Sequence, residues 1–285
     1  MLINSYLAVT DEPDIVGDQK AARLQIAWRD PIWDLSGFVK HVGDAFNPAV
    51  GFVQRRNVRQ IFATLGAHPQ PTLPAIIEFN PYADLSLIAN LDGTLETRSI
   101  TGGFGTTFLD GGVLSLEYVN QFERLLEPDV IAGVDLPAGD YNFNDATISY
   151  TSSGARRLSG KLSLSRGGFF DGSKTSVALG GLLRPSHHLS LDVTAQHNEL
   201  TLLDSTFTAD VFAGRLRYAH STHLFLSAFV QYNTSSEELV TNVRFNLIHA
   251  PLSDVFLVYT ERRNVDSGTV MDRVLTAKVT RLFAF

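Results

Sequence analysis

HLSLDVTAQHNEL, residues 188–200, decides how the chain reads. Leu189, Leu191, Val193 and Ala195 fall on one side of an extended chain. Ser190, Asp192, Thr194, Gln196 and Asn198 fall on the other, because successive side chains of a strand point to opposite faces. A helix would need apolar residues three and four apart, and nowhere does a long stretch with that spacing begin in a capping box and end in Gly. The same alternation recurs in GVLSLEYVNQF (112–122), where Leu114, Leu116, Tyr118 and Phe122 oppose Ser115, Glu117 and Gln121. In ELVTNVRFNLI (238–248), Leu239, Val243, Phe245 and Leu247 oppose Asn242, Arg244 and Asn246. In RVLTAKVTRLFAF (273–285), Leu275, Ala277, Val279, Phe283 and Phe285 oppose Thr276, Lys278 and Thr280.

Turn signals separate these segments: LDGT at 91–94, LDGG at 109–112, FDGS at 170–173 and RPSHH at 184–188. Asp-Gly supplies the positive φ of tight hairpins, and Pro or Ser clusters end strands. Working outward gives about sixteen strands, centred at about residues 6, 25, 37, 62, 82, 101, 117, 147, 162, 178, 193, 212, 227, 243, 258 and 278. Each strand with its connection takes about 18 residues, long for a soluble sandwich, where turns come every 8–12. Tilted strands of a membrane barrel need about 9–11 residues within the bilayer. Aromatics near strand ends (Trp28, Trp33, Phe169, Phe170, Tyr218, Phe225, Tyr232, Tyr259, Phe283) fit interfacial girdles. The expected fold is all-β, an antiparallel transmembrane β-barrel of about 16 strands spanning 1–285 as one domain.

Composition narrows the function. The net charge is −7, from 23 basic and 30 acidic residues with no Lys/Arg run, which argues against a nucleic-acid partner. The absence of cysteine excludes disulfides and thiolate chemistry but leaves the compartment open. No run of about 18 apolar residues offers a membrane helix. The start, MLINSYLAVTDEPD, lacks the features of a secretory signal, so the expectation is a removed signal or a chain that begins part-way through a longer protein.

The last strand, ending in Phe, resembles the C-terminal signature of bacterial outer-membrane barrels. The resemblance makes Phe283 and Phe285 the segment read by the barrel-insertion machinery. VGDAFNPAVGFVQRRNVRQ (42–60) resembles the motif of DUF5916, a Bacteroidetes-type outer-membrane barrel family of unknown function. VDLPAGDYNF (134–143), the stretch 153–193 and the stretch 225–264 extend the likeness over roughly residues 20–285. The resemblance implies an outer-membrane location with both termini periplasmic, and a role near carbohydrate handling, since members usually carry a family 9 carbohydrate-binding module. Members are also much longer, with further strands upstream, so the resemblance covers their C-terminal part only.

Candidate residues follow from the pattern. FNPAVGFVQRR (46–56) is expected to fold into the lumen or over its mouth, with Arg55, Arg56 and Arg59 offered to an anionic or sugar-like solute. The competing reading is a structural turn in which Phe46 and Phe52 pack inside and Gly51 supplies a positive φ. Arg215, Arg217, Arg244, Lys161, Lys278, Glu117 and Asp192 have inward parity, as pore lining or as ion pairs that fill the interior. His187, His188, His220 and His223 sit in turns, where surface histidines are commoner than metal ligands. GGFG at 102–105 lies inside a strand and is read as relief of crowding or a bulge. No G-x-S-x-G, P-loop or H-E-x-x-H occurs and no carboxylate pair stands out, so neither an enzyme, a metal nor a cofactor is expected. The leading expectation is a channel or envelope platform in the outer-membrane bilayer, passing or docking a glycan or a small anionic solute. The alternatives are a plugged barrel that binds a partner, and a barrel-embedded hydrolase.

Overall fold

A computed structural model describes residues 1–13, 15–48, 51–131, 133–203 and 205–282. Phe283 and Phe285 lie outside the described residues. The chain is all-β, and no described residue is helical. In chain order the strands are β1 (Leu2–Val9), β2 (Lys20–Arg29), β3 (Trp33–Val42), β4 (Val58–Ala67), β5 (Ile76–Asn90) and β6 (Leu95–Phe108). Next come β7 (Val113–Leu125), β8 (Asp129–Ile131), β9 (Val134–Leu136), β10 (Gly139–Thr151), β11 (Leu158–Phe169) and β12 (Gly172–Leu183). The last are β13 (Leu189–Leu202), β14 (Ser205–Ala219), β15 (Leu224–Asn233), β16 (Glu238–Ala250), β17 (Ser253–Asn264) and β18 (Val270–Thr280).

β8 and β9 form a small hairpin, and the other strands make one 16-stranded antiparallel sheet in chain order. All sixteen expected strand centres fall inside these strands. Such consecutive pairing satisfies backbone N–H and C=O groups between neighbours and needs only short turns. The pairings run from β1 to β18, and none joins those two strands among the described residues, so the expected closure is not part of the observed sheet. By contacts the chain forms two units, one built on Met1–Ile148 with Arg166–Ser173, the other on Ser149–Ser165, Lys174–Thr201 and the C-terminal strands.

Register gives each unit two unlike faces. In the first, Trp28, Leu35, Leu65, Ala83, Gly102 and Tyr118 follow one another across six strands. The neighbouring positions Arg23, Lys40, Gln60, Ile88, Thr97 and Glu123 make a row on the opposite face. In the second, the apolar row Tyr218, Leu226, Phe245, Leu257, Ala277 backs the polar row Arg217, Ser227, Arg244, Val258, Thr276. The apolar face is bare. Leu24, Ile26, Trp28, Val39, Leu65, Leu116 and Tyr118 are each 45–54% exposed. Phe225 departs from the girdle expectation, because it pairs with Ala219 and Asn246 and so lies on the polar face, while Tyr218, Tyr232 and Tyr259 lie on the apolar one.

The turns follow their chemistry. Gly93 and Gly111 take φ of 95° and 80°, and Asp92 and Asp110 each accept a bond of 2.8 Å from the backbone N–H two residues on. At FDGS the positive φ falls instead on Phe170 (52°), which packs edge-on against Tyr141 and Phe169. GGFG relieves crowding: the Tyr82 ring lies where a Cβ on the directly opposed Gly103 would stand. Tyr82 thereby reaches across Gly103 to donate to Glu117 Oε2 at 2.6 Å. Gly103→Val is expected to lower stability by about 1–3 kcal/mol through overpacking. Pairing it with Tyr82→Ala should recover part of the loss in denaturant unfolding, and an unchanged stability in the single variant would contradict this packing.

Candidate functional site

The first unit carries the chain's main apolar cluster on its polar face. Ala8, Ala21, Val42 and Val58 face the same way in successive strands, and Ile88 joins them. Residues 43–48 and 51–57 of the connection between β3 and β4 fold over this spot. Phe46 (7% exposed) and Val53 complete the cluster, whereas Phe52 is 89% exposed, contrary to the expectation that both phenylalanines pack inside. Gly51 has φ of 135°, as its position in the bend anticipates.

Polar contacts fasten the connection to the neighbouring loop 10–19. Gly43 N–H donates to Lys20 O at 2.8 Å, Ala45 N–H to Asp18 O at 3.1 Å, and Asp18 N–H to Asp44 Oδ1 at 2.7 Å. The backbones come so close that any side chain at Gly43 would strike Asp18. Asn47 donates to Glu12 Oε1 at 3.0 Å, and His41 Nε2 lies 2.6 Å from Asp18 Oδ2. The His41 bond, with a second from the Lys20 N–H, holds the Asp18 carboxyl below its usual 3.8. At the other end of the strands, hydrogen bonds to Asn80 and then Glu78 raise the pKa of His68 above 6.5.

The arginines of this segment are engaged. Arg55 pairs with Glu96, a carboxylate only 6% exposed, and Arg56 donates to Asn47 Oδ1. A buried carboxylate needs such a partner, so the Arg55 pair fixes the segment over the sheet. Arg59 differs from the expectation of a free loop cation. It lies in β4 opposite His41 and Ala89, on the face of Ile61 and Leu65. Glu117 has the expected polar parity and is held by Tyr82.

The second unit gathers the remaining candidates. Lys161 and Asp192 line one cavity of about 340 Å³. Gly180 stands beside Lys161 there, where an added Cβ would meet Lys161 Cβ at 3.6 Å. Arg217 and Arg244 flank Ser227 in one cross-strand row. Arg215 lies 4.8 Å from the Phe229 ring and Arg244 5.4 Å from the Phe256 ring. Lys278 neighbours Phe256 on the same face. The His187 and His188 rings are 4.0 Å apart, and no group of three metal-ligating side chains converges among the described residues.

Glu96 and the Asp18–His41 pair are functional candidates that the pattern of alternation did not single out. Burial of Glu96 depends on how 43–57 folds, which no periodicity carries. No family model and no curated protein matches the chain.

The Asp18 contribution is present above its unfolded pKa and is lost as pH falls through the lower folded value. Asp18→Asn is therefore expected to speed tryptic cleavage after Arg55 and Arg56 several-fold at neutral pH, and Phe46→Ala more so, at a packing cost of about 3–5 kcal/mol. Unchanged cleavage in both variants would show that the segment is not held this way.

Proposed function

We propose that this chain is a bacterial outer-membrane β-barrel that passes small anionic or hydroxyl-rich solutes through a polar lumen. One observation carries the reading: a continuous apolar face, bare across strand after strand, backs onto a polar face rich in Arg, Lys, Thr and Ser. Soluble monomers rarely leave contiguous apolar patches beyond about 300–600 Å² uncovered. A bilayer is a solvent that covers such a face at no cost, provided the backbone is satisfied between strands. An even number of antiparallel strands lets β1 and β18 meet as antiparallel neighbours, removing the two open edges.

The ends of the strands support this placement. Trp28 donates from Nε1 to Asp30 Oδ2 at 2.9 Å, beside the turn at 30–32, so its indole is apolar at one edge and wet at the other. At the opposite end the apolar face turns ionic, with Arg124 bonded to Asp140 at 2.6 Å and Arg273 to Glu261 at 2.8 Å. In this reading the long connections 10–19, 43–57 and 126–138 are extracellular, and both termini are periplasmic. The resemblance to the DUF5916 barrels is in keeping with a location in the outer membrane and a link to glycan handling. Segment 43–57, seated on the polar face, narrows the passage and adds positive charge through Arg56, since Glu96 neutralises Arg55.

A second reading, a plugged barrel that binds a partner, draws on the same segment, since the cluster around Phe46 is the best packed part of the first unit. Single-channel recording in planar bilayers separates the two. A steady anion-preferring conductance that rises in Phe46→Ala supports the channel, and absence of current from heat-modifiable, folded protein supports the plug. Ile100→Arg on the apolar face, mid-way along β6, should cost about 2–4 kcal/mol of folding in lipid, and Ser99→Arg much less. Equal costs would contradict the assignment of faces.

A further inference from the structure

We propose a discrete binding site for an organic anion on the polar face of β14–β17, and this rests on that face being open to water. A cavity of about 460 Å³ lies there, within the roughly 300–1,000 Å³ range of small-ligand pockets. Two adjacent cross-strand rows form one wall of it, and the β12–β13 turn with His187 and His188 forms much of the rest. One carries Arg217, Ser227 and Arg244; the other carries Phe225, Asn246 and Phe256.

The charged row is unspent. Among the described residues neither Arg217 nor Arg244 has a carboxylate partner, whereas Arg262, Arg263 and Arg273 of the same unit all do. Two guanidinium groups flanking a serine hydroxyl present donors that match a carboxylate or a phosphate. The Phe256 ring lies under Arg244, so the guanidinium is held in place before any ligand arrives. Lys278 adds positive charge beside Phe256, and Asp254 stands one row farther along β17 with Thr280 opposite.

The aromatic row sets the rest of the ligand. Phe225 and Phe256 flank Asn246 in one row beside the arginines, and among the described residues the buried apolar cluster does not include them. Rings placed there give an apolar body something to lie on while its anionic group meets the arginines. A simple inorganic anion would use the first row only. The site is therefore fitted to a carboxylate or phosphate carried on an apolar ring or chain.

Calorimetric titration of the folded, detergent-solubilised protein tests this with benzoate, and with acetate and benzyl alcohol as the charge-only and ring-only controls. Benzoate is expected to bind about ten-fold tighter than either control, and the double variant Arg217→Ala with Arg244→Ala should lose about ten-fold in benzoate affinity. Phe225→Leu should weaken benzoate and leave acetate unchanged. If the double variant does not fold, Arg244→Gln alone is expected to weaken benzoate measurably. Benzoate binding no tighter than acetate, or unaffected by the arginine variants, overturns the site. Binding without conductance would remove the channel and keep the site, while conductance without binding would do the reverse.

Discussion

Every strand in the large sheet hydrogen-bonds to its neighbours in chain order, and the rest of the molecule depends on that. With the backbone satisfied within the sheet, each side chain has only two directions to point. Among the described residues the large side chains of the apolar direction stay exposed, while the cluster around Phe46 lies where a connection folds back on the polar side. A sheet of this kind borrows its second layer from its surroundings. In the proposed reading lipid would supply one to the apolar face and water to the polar face, the inverse of a soluble sandwich with its dry interior.

Where the polar face is covered, the cover is made by the chain itself. Segment 43–57 gains an apolar anchor at Phe46, a buried ion pair at Arg55–Glu96 and a tie to loop 10–19 through Asp18, Asp44 and His41. These are three different kinds of interaction acting on one segment. Gly43 is required because the two loop backbones meet there without room for a side chain. On the polar face of the second unit, Arg217 and Arg244 have no carboxylate partner among the described residues.

The strands were legible because a period of two is written residue by residue. Leu189 to Asn198 and Leu275 to Thr280 state their faces outright, and for the second stretch the register agrees. Asp-Gly turns were legible for the same local reason. What the sequence hid was non-local. Arg59 lies a few residues from Arg55 and Arg56, but β4 has already begun there, and its parity places it with Ile61. Phe46 and Phe52 look alike in sequence and end in opposite environments, since one falls over Val42 and Val58 and the other points away. Gly103 signalled crowding, but not that Tyr82 causes it. The expected closure of the sheet is not part of the observed pairing, and no local signal in the sequence bears on it.

Trp28 and Trp33 are the only tryptophans, and both lie on the apolar face beside the β2–β3 turn. Their fluorescence therefore reports which solvent that face meets, with no substitution needed. In vesicles of brominated phospholipid the account predicts strong quenching of the native protein by the lipid and weak quenching by aqueous iodide. Strong iodide quenching with no effect of the brominated lipid would contradict it.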